Sequence, residues 1–311
     1  MEVKEWTYEE FPEFTEEVEG AHIIETTGDE PGVLYLNDVE YRTTGDMPLR
    51  LQLLIPMCRN RRFDRPSDEP APALPCVVFV QGSAWMKQRI YGNVPNISRL
   101  AIRGFVCAIV EYRHSGIAWF PAQAVDALNA IRFLKQHAAD FWIDPEKIIL
   151  AGDSSGGHTA MWGGLLQNDE TEFNHYPGIS GSVKGIVDYY GSVSVMAPDS
   201  NPIQISHCLP DSPEGMVMGG RNLLEHPELA EALSVECHID ESTKLPPILI
   251  FHGTKDRVVN CTGSVILYRR LRETRHPAEL YLVKGADHGG PDFWMPKVLD
   301  IVEEFVRKCV E

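Results

Sequence analysis

The 311-residue sequence lacks any uninterrupted apolar run that approaches the ~20 residues of a membrane-spanning helix. Its beginning also lacks the basic segment followed by an apolar segment that defines a secretory leader, because the chain is acidic up to Glu19. None of the seven cysteines forms a C-x-x-C pair, and their odd number fits a reduced protein better than a disulfide framework. We therefore expect a cytoplasmic protein without membrane contact.

Positive charge is also scarce, since 28 Lys and Arg residues stand against 45 Asp and Glu residues, for a net charge of −17. This balance argues against a nucleic-acid backbone or an anionic membrane as a partner. His207 and His238 each lie beside a cysteine, Cys208 and Cys237, but neither pair has a further ligand at zinc spacing. The sequence therefore predicts no metal site and no cofactor.

The chain divides into an acidic N-terminal arm, residues 1–31, and a single domain, residues 32–311. Two strand-like segments, Val33–Leu36 and Leu49–Ile55, open the domain. The polar, proline-rich stretch 59–75 that follows is typical of a surface loop.

Beyond this loop, short apolar runs alternate with helix-like segments. Strands are predicted at Cys76–Val80, Phe105–Val110, Ile148–Ala151, Gly185–Tyr189, Pro247–Phe251 and Glu279–Val283, and helices at Ile90–Arg103, Pro121–His137, from Gly156 onward, Ser264–Arg272 and Pro296–Val310. This alternation predicts an α/β protein with a mostly parallel central sheet and helices on both faces. Functional sites in such proteins lie at the carboxyl ends of the strands.

One such strand end carries Gly152-Asp153-Ser154-Ser155-Gly156, the only G-x-S-x-G in the chain. A serine in a strained strand-to-helix turn, with glycines that allow close backbone approach, is the nucleophile elbow of a serine hydrolase. The alternative is a loop in which Ser154 or Ser155 only caps the helix.

A serine nucleophile requires an imidazole base, and the base requires a carboxylate to orient it. In proteins with this elbow the acid and the histidine follow the serine in that order. Asp256 and His288 follow the last two predicted strands, and we predict that they complete the triad. Asp287 remains an alternative acid. His252 closes a strand and is expected to make only local contacts.

Acyl transfer also requires backbone N–H groups that stabilise the oxyanion. The amide of Ser155, directly after the nucleophile, is one predicted donor. A second is expected from the loop after the Cys76–Val80 strand, although a simple turn is the alternative there.

The ordered motifs of this chain resemble the acetyl-esterase and feruloyl-esterase group, which is related to the hormone-sensitive-lipase-like carboxylesterases. The motifs are Gln81–Trp85, Glu111-Tyr112-Arg113, Phe120-Pro121-Ala122, Asp126, Gly152–His158, Phe251–Asp256 and Gly285–Gly289. The resemblance spans residues 32–308 and implies the α/β-hydrolase fold and a carboxylesterase. The family carries His-Gly-Gly-Gly where this chain has Gln81-Gly82-Ser83-Ala84. The amides of Ser83 and Ala84 remain the predicted donors of this loop.

Residues 192–245 form the longest segment between predicted strands and are expected to form a small cap, with a helix start at Ser212-Pro213. This segment is polar, which favours short acyl esters over long-chain lipids. The resemblance implies acetyl or feruloyl esters of plant carbohydrate, so the expected partner is a small-molecule or oligosaccharide ester. Trp85 and Trp119 either stack on a sugar or aryl group or belong to the core. The sequence predicts no oligomeric state.

Two other functions share part of this pattern. A serine peptidase of the prolyl-oligopeptidase type has the same catalytic domain, but it normally carries a large propeller domain, for which 311 residues would leave no room. A non-catalytic ligand-binding protein on a hydrolase scaffold typically loses the base, whereas this chain keeps His288.

Overall fold

A computed structural model describes residues 4, 6–45, 47–58, 71–168, 174–195 and 204–311. Within these residues the strands form one eight-stranded sheet. The strands are β1 Gly32–Thr44, β2 Met47–Met57, β3 Leu74–Val80, β4 Val106–Val110, β5 Ile143–Asp153, β6 Gly185–Tyr189, β7 Ile248–Gly253 and β8 Ala278–Val283.

The spatial order of the strands is β1-β2-β4-β3-β5-β6-β7-β8. β1 pairs with β2 and β2 pairs with β4 in antiparallel fashion, and all remaining pairs are parallel. The predicted mostly parallel sheet is therefore confirmed. β3 begins at Leu74, so the final two residues of the loop predicted at 59–75 belong to the sheet, and residues 59–70 lie outside the described residues.

Seven α-helices are present in the described part of the chain. They are α1 Val94–Ala101, α2 Ala122–Gln136, α3 Ser155–Leu166, α4 Pro213–Val217, α5 Pro227–Leu233, α6 Cys261–Glu273 and α7 Pro296–Val310. The first begins four residues later than the predicted Ile90, because residues 90–93 form turns before Pro95 sets the helical backbone. None of these helices is long and apolar enough to cross a membrane.

The sheet separates two layers of buried side chains. Along β3, Cys76, Val78 and Val80 face one layer, whereas Val77 and Phe79 face the other. This alternation is the two-residue period of a strand that is covered on both faces. Helices α2, α3 and α6 cover the first face, and α1 and α7 cover the second.

The predicted cap segment, residues 192–245, lies between β6 and β7 and contains α4 and α5. Residues 196–203 lie outside the described residues. The helix predicted to start at Ser212-Pro213 is present, and the Ser212 side chain accepts a hydrogen bond from the Gly215 amide. Before β1, the described part of the arm contains neither helix nor strand. The division into arm, domain and cap stays a prediction.

A buried ion cluster ties α2 to the sheet. Asp126 of α2 is 0% exposed, and its carboxylate is 2.7 Å from Arg42 Nη1 on β1. Arg113, in the segment after β4, donates to the same carboxylate from its backbone amide at 2.9 Å and from Nε at 2.8 Å. Because both oxygens of Asp126 accept charged or amide donors, the cost of burying this charge is offset.

Replacement of Asp126 by Asn should lower the free energy of unfolding by about 3 kcal/mol, because Arg42 would remain buried without its counter-charge. Urea unfolding followed by circular dichroism measures this change. The matched control is Asp140→Asn, whose exposed carboxylate pairs with His137 and should matter little. Equal effects of the two substitutions would contradict the role assigned to the buried cluster.

Candidate active site

Ser154 lies in a sharp turn between β5 and α3. Its backbone has φ 54° and ψ −125°, a conformation that a non-glycine residue rarely adopts. Close backbone packing explains the neighbouring glycines, since a Cβ atom on Gly152 would lie 2.2 Å from Gly156 O and one on Gly156 would lie 1.9 Å from Val80 O. The Ser154 side chain makes no capping hydrogen bond to α3. The structure therefore shows the predicted strained turn and not a side-chain cap.

Three predicted residues meet at the carboxyl ends of the strands. Ser154 Oγ lies 2.8 Å from His288 Nε2, and His288 Nδ1 lies 2.8 Å from Asp256 Oδ2. Because a carboxylate only accepts, Nδ1 carries the proton and Nε2 is left to accept the proton of the Ser154 hydroxyl. This is the arrangement by which an imidazole activates a serine.

The Asp256 carboxylate accepts several hydrogen bonds. Oδ1 receives the backbone amides of Val258 at 2.9 Å and Val259 at 2.8 Å. Oδ2 faces His288 and also His252, whose Nε2 is 3.2 Å away. Burial by itself would raise the pKa of Asp256, but the hydrogen bonds from His252 and His288 outweigh it and hold this pKa well below its usual range.

The contact between His252 and Asp256 is one that the sequence analysis missed. The two residues are four apart across the turn after β7, in Phe251-His252-Gly253-Thr254-Lys255-Asp256. The sequence signal for this contact is that His252 and Asp256 lie at the end of the same strand.

The alternative acid, Asp287, has a different partner. Its carboxylate forms an ion pair with the guanidinium of Arg257 and accepts the Arg257 backbone amide. These hydrogen bonds lower the pKa of Asp287 to about 2. The structure therefore places Asp256, and not Asp287, on the ring of His288.

The loop after β3 is tied to the nucleophile turn by two amides. Gly82 N donates to Asp153 Oδ1 at 2.6 Å, and Ser83 N donates to Ser155 Oγ at 2.9 Å. The structure thus corrects the expectation for Ser83, because its amide proton is already used. The amides of Ala84 and Ser155 have no partner in the part of the chain that the structure describes. Their role as oxyanion donors stays a prediction.

Ala84 has φ 55°, in the left-handed region that favours glycine. The family resemblance places a glycine at this position, whereas this chain adopts the left-handed backbone with a Cβ atom present. The strain is of the order of 1–2 kcal/mol, so other contacts must hold the loop.

A directed chain of hydroxyl groups provides such contacts. The hydroxyl of Ser83 donates to the Met86 carbonyl oxygen, so it can only accept from Tyr112 Oη at 2.9 Å. Because the Tyr112 hydroxyl donates its proton to Ser83 Oγ, Tyr112 Oη accepts a hydrogen bond from Ser155 Oγ at 3.3 Å. Burial raises the pKa of Tyr112 to about 12, so the phenol keeps the proton that this chain requires.

Replacement of Tyr112 by Phe should lower kcat/KM for an ester substrate about tenfold, because two hydrogen bonds that hold the loop after β3 are lost. Steady-state kinetics measure the change. Tyr91→Phe, which removes an exposed hydroxyl that donates to Asp38, is the matched control and should leave kcat/KM unchanged. A Tyr112→Phe protein with unaltered kcat/KM would show that the hydroxyl chain does not hold the loop.

The two predicted stacking residues differ in exposure. Trp85 is 1% exposed and packs edge-on against His158, with ring centroids 5.0 Å apart. Trp85 therefore belongs to the core, which is one of the two alternatives that the sequence left open. Trp119 is 63% exposed, and ring atoms of Trp119 lie 3.2–3.3 Å from the position of a Cβ atom on Gly219 in the cap segment.

The histidines beside cysteines have ordinary partners. His207 contacts the Glu214 carboxylate at 2.8 Å and the Val258 carbonyl at 2.7 Å, and His238 contacts the Glu231 carbonyl at 3.1 Å. Among the described residues, no group of three or more His, Cys, Asp or Glu side chains could hold a metal ion. The absence of a metal or cofactor stays a prediction.

The mostly parallel sheet, the strained serine turn after β5 and the acid and histidine after β7 and β8 define an α/β-hydrolase fold. The BD-FAE family model matches residues 64–271, about two thirds of the chain. The chain belongs to this family. The predicted fold and the resemblance to esterases are thereby confirmed.

Curated relatives carry esterase names. Esterase LipC of Mycobacterium tuberculosis is 32% identical over 232 residues, which cover 74% of this chain and 55% of that protein. The isoprenylcysteine alpha-carbonyl methylesterase ICME of Arabidopsis thaliana is 28% identical over 222 residues, which cover 69% of this chain and 50% of that protein. This chain thus spans about half the length of the curated relatives it matches.

Solved structures show the same fold over nearly the whole chain. A truncated form of a carbohydrate esterase from gut microbiota has a TM-score of 0.72 and 23% identity, and the match covers 91% of this chain and 98% of that chain. A butyrate-bound structure of the esterase Est2 from Thermogutta terrifontis has a TM-score of 0.63 and 25% identity, and the match covers 91% of this chain and 95% of that chain.

Proposed function

We propose that this protein is a serine carboxylic-ester hydrolase that acts on short-chain acyl or aryl esters. The observation that carries this proposal is the continuous contact from Ser154 Oγ through His288 to Asp256, with 2.8 Å at both steps. Membership in the BD-FAE family and the esterase names of the curated relatives support the reaction class.

In the proposed reaction, Ser154 Oγ attacks the ester carbonyl while His288 Nε2 takes the hydroxyl proton. The amides of Ala84 and Ser155 stabilise the negative charge on the carbonyl oxygen. The bond to the alcohol then breaks, and the alcohol leaves with the proton from His288. Water attacks the acyl-enzyme with His288 again as base, which releases the acid and restores Ser154.

Asp256 keeps the His288 ring in the tautomer that this cycle requires and stabilises its protonated form. The lowered pKa of Asp256 keeps this carboxylate ionised at neutral pH.

Short acyl groups, including acetyl, and feruloyl groups are the proposed substrates, and the alcohol is proposed to be a plant carbohydrate. The polar cap segment and the binding of butyrate by the relative Est2 support short acyl chains. The gut carbohydrate esterase and the exposed Trp119 ring support a sugar or aryl group on the alcohol or acyl side. A small-molecule or oligosaccharide ester is the one partner that the proposal requires.

Replacement of Ser154 by Ala should reduce kcat for p-nitrophenyl acetate by about 10⁴-fold or more, because no other group in the proposed mechanism forms the acyl-enzyme. An organophosphonate probe should label the wild-type protein once per chain, and mass spectrometry should locate the label on Ser154. The matched control is Ser155→Ala. This variant keeps Ser154 and the backbone amide of residue 155, and it should still be labelled.

Full activity of the Ser154→Ala protein would refute the proposed mechanism. Cleavage of proline-adjacent aminoacyl amides without ester turnover would instead favour a peptidase. A wild-type protein that neither hydrolyses esters nor reacts with the probe would favour a ligand-binding role.

Replacement of Trp119 by Ala should raise KM for methyl ferulate and acetylated xylo-oligosaccharides about three- to tenfold, because one stacking surface for the ring is lost. Ethyl acetate, which has no ring, should show no change. Trp6→Ala removes an exposed tryptophan of the arm and is the matched control. An equal change in KM for ethyl acetate would argue against a stacking role for Trp119.

A further inference from the structure

We propose that His252 is a positioning residue of this site, which donates a second imidazole N–H to the Asp256 carboxylate and thereby limits how basic that carboxylate is toward His288. The inference rests on the proposed function, since it assigns a task to a residue that acts through the triad. It goes beyond that function because His252 contacts neither Ser154 nor the reacting atoms in the proposed mechanism.

The protonation state of His252 follows from its contacts. Nε2 lies 3.0 Å from the Val259 carbonyl oxygen and 3.2 Å from Asp256 Oδ2, and both of these oxygens only accept. Nε2 must therefore carry a proton, which it shares between them. Nδ1 lies 2.7 Å from Ser264 Oγ, whose hydroxyl is able to donate to an unprotonated Nδ1. With Ser264 as the donor to Nδ1, the single ring proton is on Nε2.

The elements around His252 hold this ring in place. The side chain is 0% exposed at the end of β7, and Ser264 approaches it from α6. At the next position, a Cβ atom on Gly253 would lie 2.4 Å from Ala286 O, so the turn after β7 is packed tightly against the turn that carries His288. A ring so enclosed donates in a fixed direction.

The two oxygens of Asp256 have different tasks. Oδ1 accepts two backbone amides, which fix the carboxylate in the turn after β7. Oδ2 accepts from two imidazoles, His252 and His288, so the negative charge available to His288 is shared. Loss of the His252 donor would leave Asp256 in place on its backbone amides but would make Oδ2 a stronger acceptor for His288.

Other ionisable groups around this pair are not altered by a change at residue 252. Asp153 acts on His288 through its charge, the Tyr190 ring packs on His288 with centroids 5.0 Å apart, and Cys261 of α6 lies near Asp256. Asp287 next to His288 is neutralised by its ion pair with Arg257. A substitution of His252 therefore tests the effect of its Nε2–H group alone.

The test compares His252→Met, which removes the donor, with His252→Gln, whose side-chain amide nitrogen can occupy the position of Nε2. The pH dependence of kcat/KM for p-nitrophenyl acetate reports the protonation of the free base. In the Met variant a more basic Asp256 stabilises protonated His288, so the acidic limb should move to higher pH by about 0.5 unit or more. The Gln variant should keep the wild-type limb.

A merely structural role for His252 would lower thermal stability in both variants without moving the limb, so profiles are recorded below the unfolding transition of each protein. A Met variant with the wild-type limb would overturn the inference. So would equal shifts in the two variants.

The wild-type protein supplies a measurement that does not depend on the folding of the variants. In protein labelled with ¹⁵N-histidine, the ring nitrogen shifts of His252 should show a neutral ring with its proton on Nε2. A cationic ring, or a proton on Nδ1, would also overturn the inference. If wild-type esterase activity does not depend on Ser154, the proposed function fails; if it does and the limb stays fixed, only the role of His252 fails.

Discussion

The turn that carries Ser154 packs closely against the end of β3 and the loop after it at two glycines. Gly156 lies against the Val80 carbonyl, and Gly82 lies against the Asp153 carbonyl, where a Cβ atom would stand 1.9 Å and 2.3 Å from the respective oxygen. Because neither glycine has a side chain, α3 and the loop after β3 occupy neighbouring space. These two backbone contacts therefore position both Ser154 and the amides beside this nucleophile. The surrounding packing also holds the strained backbone of Ser154.

Three buried carboxylates near this turn differ in what surrounds them. Burial raises the pKa of Asp188 to about 7 and also raises that of Asp153, whereas the pKa of Asp256 is lowered. Asp188 and Asp256 differ in their number of donors. Asp188 has one amide donor and an oxygen with no partner among the described residues, while Asp256 accepts two amides and two imidazoles. At Asp256 the hydrogen bonds outweigh burial, whereas at Asp188 and Asp153 burial outweighs them.

Trp85 and Ser83 show where the sequence alone was insufficient to predict the direction of a group. Trp85 follows a strand end, as a substrate-binding residue would, but the left-handed backbone at Ala84 and Trp85 turns its ring into the core. Ser83 lies where an amide donor to the oxyanion was expected, yet its amide donates a hydrogen bond to Ser155 Oγ. For Ser83 the deciding atom belongs to a segment that is distant in sequence, and the periodicity of the sequence carries no information about it.

The sequence by itself determined the class of the sheet, the alternation of strands and helices along the chain, and the positions of Ser154, Asp256 and His288 at strand ends. It did so because buried strands require continuous apolar runs and a strained turn requires glycine, and both requirements are local. Only the tertiary structure decided that Asp256 faces His288 while Asp287 pairs with Arg257, and that His252 shares the same carboxylate. Those choices depend on distances between separate turns at one edge of the sheet, which are set by packing between elements far apart in the chain.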